Sequence, residues 1–413
     1  MVPDGWRLTG LDGVGVSIID GDRGKSYPKK DDYLSDGYAL FIGAENIANG
    51  YFSLNKAVFI SKEKHEEMRK GIVQDKDIIL VMRGNGTGRS CIFYTNKIHG
   101  KVARINSGLV IIRASEEYTD VNFLHQLFLS DIIKKQFDGF IFGSAQPQLT
   151  VSLLKALVIP IPPFYEQVKI ACILSVWDKA ILLSEQLLRN SLQLKNTLMQ
   201  SVITGKKRFL EFKGQWDKRT LSDICILGAG QPAPQEEKYF FHGEHDFIRV
   251  SDLGSNTSRW APQSRDKINQ LAIRECKLEL VPARATLFTK SGASLLLNQR
   301  AQLKESSFIV SHLGFAKAKD GVSDDFVFYL MCSIDFNRYA AGTSLPALQL
   351  SVLKSLKVLL PPFEEQQKIA SMLSDADAEI SILEKKLFLL KQEKKALMQQ
   401  LLTGKRRVKT EAA

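Results

Sequence analysis

Apolar positions along this chain follow two different rhythms. Short continuous runs such as Ile78 to Met82 and Leu109 to Ile112 are rich in β-branched residues and bounded by turn formers, which predicts strands. Elsewhere the apolar spacing alternates four and three residues over much longer stretches. One such register runs Ile170, Leu174, Trp177, Ile181, Ser184, Leu188, Ser191, Lys195, Leu198, Val202, and a second runs Ile369, Leu373, Ala376, Ile380, Leu383, Leu387, Leu390, Lys394, Leu397, Leu401. This is the seam of a heptad repeat. A helix from Glu166 to Ile203 would be about 57 Å long at ~1.5 Å per residue, too long to stand without a partner along its length. Periodicity alone leaves open a partner helix from a different chain, but the two copies are expected to pair with each other.

The copies have written ends. Pro162 to Arg208 aligns without a gap on Pro361 to Arg407, at an offset of 199 residues throughout. Each opens on Pro-Pro, suited to a first helical turn, and closes on Thr-Gly followed by Lys and Arg, a helix stop with cations at the negative end of the dipole.

The duplication extends into the rest of the chain. Trp6 and Leu11 match Trp216 and Leu221 at an offset of 210; Asp77 to Gly84 matches Ala285 to Gly292 at 208; Phe123 to Ser130 matches Phe326 to Ser333 at 203; Gly143 to Leu157 matches Gly342 to Leu356 at 199. The scaffold therefore repeats while the loops change length and content, as expected where loops carry the variable function. A period near 200 is far too long for a solenoid. The expected fold is α+β: two similar globular domains, each followed by a long helix, the helices pairing as an antiparallel coiled coil with pseudo-two-fold symmetry. The boundaries read from the sequence are 1–158 and 207–357 for the globular domains, 159–206 and 358–407 for the helices, and 408–413 for a tail. Trp177 in one helix stands where the other has Ala376, so the halves are not strictly symmetric.

Composition narrows the class. With 44% hydrophobic and 24% charged residues the chain is expected to be soluble, and no apolar run reaches the ~18 residues of a membrane span. The first residues have no basic start followed by an apolar core, so the expected compartment is the cytoplasm. Five scattered cysteines in no C-x-x-C spacing argue against a disulfide framework or a zinc site. Fifty-six Lys and Arg against 45 Asp and Glu give +11, which favours a polyanionic partner such as nucleic acid.

Several motifs need weighing. Arg83-Gly-Asn-Gly-Thr-Gly-Arg89 follows a strand-like run, but Arg83 and Arg89 occupy the positions where a phosphate loop has Gly and Lys, so a Gly-rich turn is expected. Arg and Asn in such a turn suit phosphates and base edges. Ile161-Pro-Pro-Phe164 and Leu360-Pro-Pro-Phe363 lack the Asn that the adenine methyltransferase motif places before Pro-Pro. Ile and Leu can neither donate nor accept, so methyl transfer by this chain is not expected. His242-Gly-Glu-His245 is not a zinc-binding spacing, and reads as a solvated loop. No hydrolase or nuclease constellation is evident.

The twice-written Pro-Pro-Phe-x-Glu-Gln-x-x-Ile helix, the S-x-L-K-x-L run before each helix (Ser152 to Leu157, Ser351 to Leu356) and the repeat near 200 residues resemble the specificity subunit of type I restriction-modification systems, over essentially the whole chain. That resemblance implies a non-catalytic subunit whose two target-recognition domains each read one half of a bipartite, asymmetric DNA site. It implies two methyltransferase (modification) subunits and restriction/translocase subunits as partners. It implies no cofactor on this chain, with S-adenosylmethionine, ATP and Mg2+ belonging to the partners. The helix residues Glu166, Gln167, Lys169, Ile170, Glu365, Gln366, Lys368 and Ile369 are expected to contact the methyltransferase subunits. Candidates for DNA contact are Arg83, Asn85, Arg89, Gln146 and Gln148 in the first domain, and Arg249, Lys290, Ser291 and Ser344 in the second. The competing readings are a fused methyltransferase or nuclease, for which two repeats leave no room, and a coiled-coil adaptor that binds protein only.

Overall fold

A computed structural model describes residues 2–48, 50–140, 148–254, 256, 258–342 and 346–408. The chain divides into two compact units: residues 1–183 with 387–413, and residues 184–386. Both boundaries fall inside the long helices, Phe164–Ile203 and Phe363–Leu401. The reason is packing: each globular part closes over the first half of the helix that follows it and the second half of the other helix.

In the first unit, a four-stranded antiparallel sheet takes the order Val16–Asp20, Leu109–Ala114, Ile78–Val81, Ser90–Ile92. Both of its faces are covered, which is why the central strands read as unbroken apolar runs. Ile78, Leu80, Val110 and Ile112 face a core that also holds Trp6, Phe123, Leu127 and Ile133. Ile79, Val81 and Ile111 face a second core with Leu40, Ile42, Phe93 and Ile105. There a three-stranded sheet sets Ala39–Ile42 parallel to Val102–Ile105 and antiparallel to Phe59–Ile60. The helices Val121–Phe128 and Asp131–Phe140 cover the first face.

The second unit repeats the plan with the strands Cys225–Ala229, Leu313–Ala318, Thr286–Thr289 and Arg300–Gln302 in one sheet, and Lys267–Ile268, His245–Ile248 and Phe308–Ile309 in the other. The helix Asp324–Ser333 and the short turn Phe336–Tyr339 take the place of the helix pair.

Within each unit the helix segments run antiparallel, and the heptad positions lie where they meet. Every position of both registers is buried or half-buried, whereas Val176, Leu194, Ile382 and Phe388 between them are exposed. Ile170, Leu174, Leu401 and Leu402 enter the core of the first unit, and Val202, Ile203, Ile369 and Leu373 that of the second. Burial of side chains this size is worth roughly 1.5–3 kcal/mol each. Among the described residues no helix is long and apolar enough to cross a membrane.

Candidate nucleic-acid interface

Each unit holds its helix by the same set of polar contacts. In the first, the short strand Arg7–Thr9 pairs with Ile159–Ile161, the strand that leads into the helix. This places the indole of Trp6 over the first helical turn, where its Nε1 donates to Glu166 Oε2 at 3.3 Å. Arg407 Nε donates to the same oxygen at 3.0 Å, and its Nη2 to Oε1. Gln167 accepts from the backbone N–H of Asp120 at 3.0 Å and donates to Pro162 O at 3.0 Å. Asp120 in turn caps the helix Val121–Phe128 through Phe123 N, so one glutamine ties the long helix to the N-terminus of the helix beneath it.

The second unit repeats the set. Trp216 Nε1 donates to Glu365 Oε2 at 2.9 Å, and Arg208 donates to both oxygens of Glu365 at 3.0 and 2.7 Å. Gln366 accepts from the N–H of Ser323, the cap of Asp324–Ser333, and donates to Pro361 O. Farther along the helices, Asp178 accepts from Gln126 and Lys394, and its counterpart Asp377 from Tyr329 and Lys195. All the helix partners shift by the same 199 residues. Hydrogen bonds to the buried carboxylates raise the Arg208 and Arg407 guanidiniums, which keeps them charged.

Six of the eight helix-motif side chains expected to meet a partner are therefore turned inward. Glu166, Gln167, Ile170, Glu365, Gln366 and Ile369 are at most 1% exposed, because they bind the globular part of their own unit. Lys169 and Lys368 point outward, Lys368 near Glu211. The cations that end the helices read from the sequence as complements of the dipole, yet Arg407 and Arg208 are the third members of these anchors.

The other end of each sheet presents a turn. Leu149 N donates to Met82 O at 2.8 Å and Arg83 bridges Gln148, so the Gly-rich turn and the strand after 147 lie side by side. Arg83, Asn85 and Gln148 are exposed there together. Arg89 is not: it folds back to donate to Gly86 O and Asn85 O, shaping the turn instead of reaching out. Gly86 lies at φ +107°, and a Cβ on it would meet that guanidinium at 2.0 Å. In the second unit Leu348 N donates to Lys290 O and Ser291 bridges Ala347, the same register. Ser291 Oγ is 2.7 Å from His312 Nδ1, and the turn that follows is Ala293–Leu297 with Leu296 and Leu297 exposed. Lys290 is half-buried. Arg249 is half-buried and forms an ion pair with Asp266. Gln146 and Ser344 lie outside the described residues.

The comparisons agree with this geometry. The family described as type I restriction modification DNA specificity domain matches residues 3–193 and, a second time, 213–392. The type I restriction enzyme MjaIX specificity subunit of Methanocaldococcus jannaschii is 29% identical over 304 residues, 69% of each chain. The MjaVIII specificity subunit of the same organism is 25% identical over 434 aligned positions, 99% of this chain and 94% of the other. Among solved structures, the S subunit of the type I restriction-modification system from M. genitalium covers 97% of this chain and 96% of its own at a TM-score of 0.59 and 15% identity. A chain from a study of assembly and conformational transition of the type I R-M system gives 0.60 at 18% identity, covering 98% of this chain and 100% of that one. With two matched domains, each closed by the same anchor, this chain belongs to the family of type I restriction-modification DNA specificity subunits.

Proposed function

We propose that each unit reads one half of a bipartite, asymmetric DNA site, that the long helices set the spacer and dock the methyltransferase subunits, and that this chain catalyses nothing itself. The observation that carries the reading is the contrast within the repeat. The anchor of Trp, Glu, Gln and Arg recurs residue for residue, whereas the turn presented at the far end of the sheet is Arg83-Gly-Asn in one unit and Ser291-Gly-Ala in the other. A fixed frame with different tips is what two readers of different half-sites need.

In the first reader, Arg83 suits a bidentate contact to guanine, and Asn85 and Gln148 suit adenine. Direct contacts of this kind are worth roughly 1–3 kcal/mol of discrimination each. Methyl transfer belongs to the partners, because Ile161 and Leu360 stand where an adenine methyltransferase needs Asn, and each is held in a strand pair. The methyltransferase subunits would bring S-adenosylmethionine, and the restriction/translocase subunits ATP and Mg2+. Lys169 and Lys368 are the motif residues left outward for docking.

The decisive experiment replaces residues 1–157 with the equivalent of a relative, expresses the chimera with its methyltransferase partners and maps the modified adenines. One half of the site changes and the other stays; a simultaneous change in both would overturn the two-reader reading. A matched heptad inserted after Leu183 and after Lys386 tests the spacer. It adds about 10 Å, or about three base pairs, and an active complex with an unchanged spacer would exclude the helices as its determinant.

A further inference from the structure

The first unit carries a basic groove that its repeat partner does not match. A cleft of about 650 Å3 lies between the helix Asp131–Phe140 and the last turns of Phe363–Leu401, and six lysines line it: Lys134, Lys135, Lys391, Lys394, Lys395 and Lys405. Two carboxylates, Asp131 and Asp178, line the cleft with them. Asp178 takes Lys394 at 2.6 Å, and Asp131 takes Lys395 at 3.4 Å and Gln399 at 3.0 Å. Lysines thus outnumber carboxylates in its lining, six to two. Lys134, Lys135 and Lys405 at its rim are exposed.

The repeat supplies an internal control. A neighbouring cleft of the second unit, about 550 Å3, shares two positions with it, Gln200 and Thr204 standing where the first has Gln399 and Thr403. Along the helix, Leu192 and Asn196 stand where the first unit has Lys391 and Lys395, whereas Lys195 and Lys206 stand where it has Lys394 and Lys405; much of the cleft lining is apolar, with Ile203, Leu330, Val358 and Leu359. Its charged lining is Lys218, Arg338 and Lys357 with Asp335. The scaffold thus closes with Leu192 and Asn196 in place of Lys391 and Lys395, so the fold does not require these two lysines.

Its position says what that is. A Cβ on Gly88, in the Arg83 turn, would meet Phe137 at 3.2 Å. Lys134 stands three residues before Phe137 on the same helix, about 4.5 Å along its axis. The groove therefore begins one helical turn from the proposed base-reading turn and continues along the long helix.

We propose that this groove binds the phosphate backbone of the DNA next to the half-site read by the first unit, adding affinity without sequence preference. The inference rests on the DNA-reading proposal above. Lysines without base contacts fix position and release counterions, so their signature is in the salt dependence and not in the sequence recognised.

The test uses the full chain in complex with its methyltransferase subunits, a labelled duplex carrying the mapped site and a scrambled duplex. In the triple variant Lys134→Gln, Lys135→Gln, Lys405→Gln, binding weakens on both duplexes alike, and the slope of log K against log salt becomes shallower by up to about 2.7, roughly 0.9 for each phosphate that is no longer neutralised. The triple Arg variant restores the slope, and the methylated sequence stays the same in all three proteins. Wild-type affinity and slope in the Gln variant would overturn the proposal. So would loss of the methyltransferase subunits with DNA binding intact, which would assign the groove to an acidic protein surface. A wild-type complex that does not distinguish the two duplexes would defeat the DNA-reading proposal instead.

Discussion

Trp6 and Glu166 meet across 160 residues: the indole Nε1 donates to Oε2 at 3.3 Å, and both side chains are buried. Trp216 and Glu365 make the same contact at 2.9 Å. The tryptophan comes from the start of a globular segment and the glutamate from the start of a long helix, so the bond fixes the angle at which the helix leaves its reader.

Removing the carboxylate should therefore loosen one unit at a time. Glu166→Ala leaves the buried Trp6 N–H without an acceptor, an expected loss of roughly 1–3 kcal/mol, while Glu166→Gln keeps an acceptor and loses less. Hydrogen exchange should show faster opening of Val121–Phe128, with Asp324–Ser333 unchanged. Equal loosening of both helices would mean that the anchor does not act locally.

The two helix-ending glycines should differ in tolerance. Gly205 and Gly404 both lie in the left-handed region, at φ +71° and +73°, which strains any other residue by roughly 1–2 kcal/mol. A Cβ on Gly404 would also meet Pro3 at 2.4 Å, whereas one on Gly205 would meet the Trp216 ring at 3.3 Å. Gly404→Ala should lower the denaturation midpoint more than Gly205→Ala. The opposite order in urea melts would exclude the Pro3 contact as the cause.

Arg83 and Arg89 separate reading from framework. Arg83→Ala should relax the sequence preference at one position of one half-site, by roughly 1–3 kcal/mol, and leave the other half untouched. Arg89→Ala frees the Gly86 and Asn85 carbonyls and should weaken that whole half-site without changing its sequence. Methylation mapping of the two variants in the assembled complex distinguishes these outcomes.

The first unit should weaken in mild acid through His125. Burial pushes this imidazole down to about 4, against the opposing pull of a Ser90 backbone hydrogen bond and the Asp178 charge. Unfolded, it titrates near its ordinary value of about 6.5, so between these values the unfolded chain binds the extra proton. Its contribution is complete above about pH 6.5 and is lost as pH falls towards 4, by about 3 kcal/mol at most. His125→Gln should flatten that part of the stability profile; an unchanged profile in denaturant melts at pH 7 and 5 would show that His125 is not the group responsible.

Much of this architecture was legible in the sequence because it depends on periodicity and repetition, which are local. The heptad register marks where the helices meet residue by residue, and the constant offset of 199 marks two equivalent helices. Continuous runs such as Ile78 to Val81 mark strands covered on both faces.

What only the tertiary structure decided was where polar side chains find partners. Glu166 and Gln167 look like a surface motif on a helix, yet their partners arrive from residues 6, 120 and 407, and no local pattern announces such distant donors. Arg89 and Arg83 sit in one turn with similar chemistry, and only the backbone path through Gly86 folds one back and leaves the other exposed. Burial of apolar groups is encoded by spacing, because one face of a helix or strand suffices to specify it. A hydrogen bond needs a particular atom at about 3 Å, and that is fixed only when the chain has closed on itself.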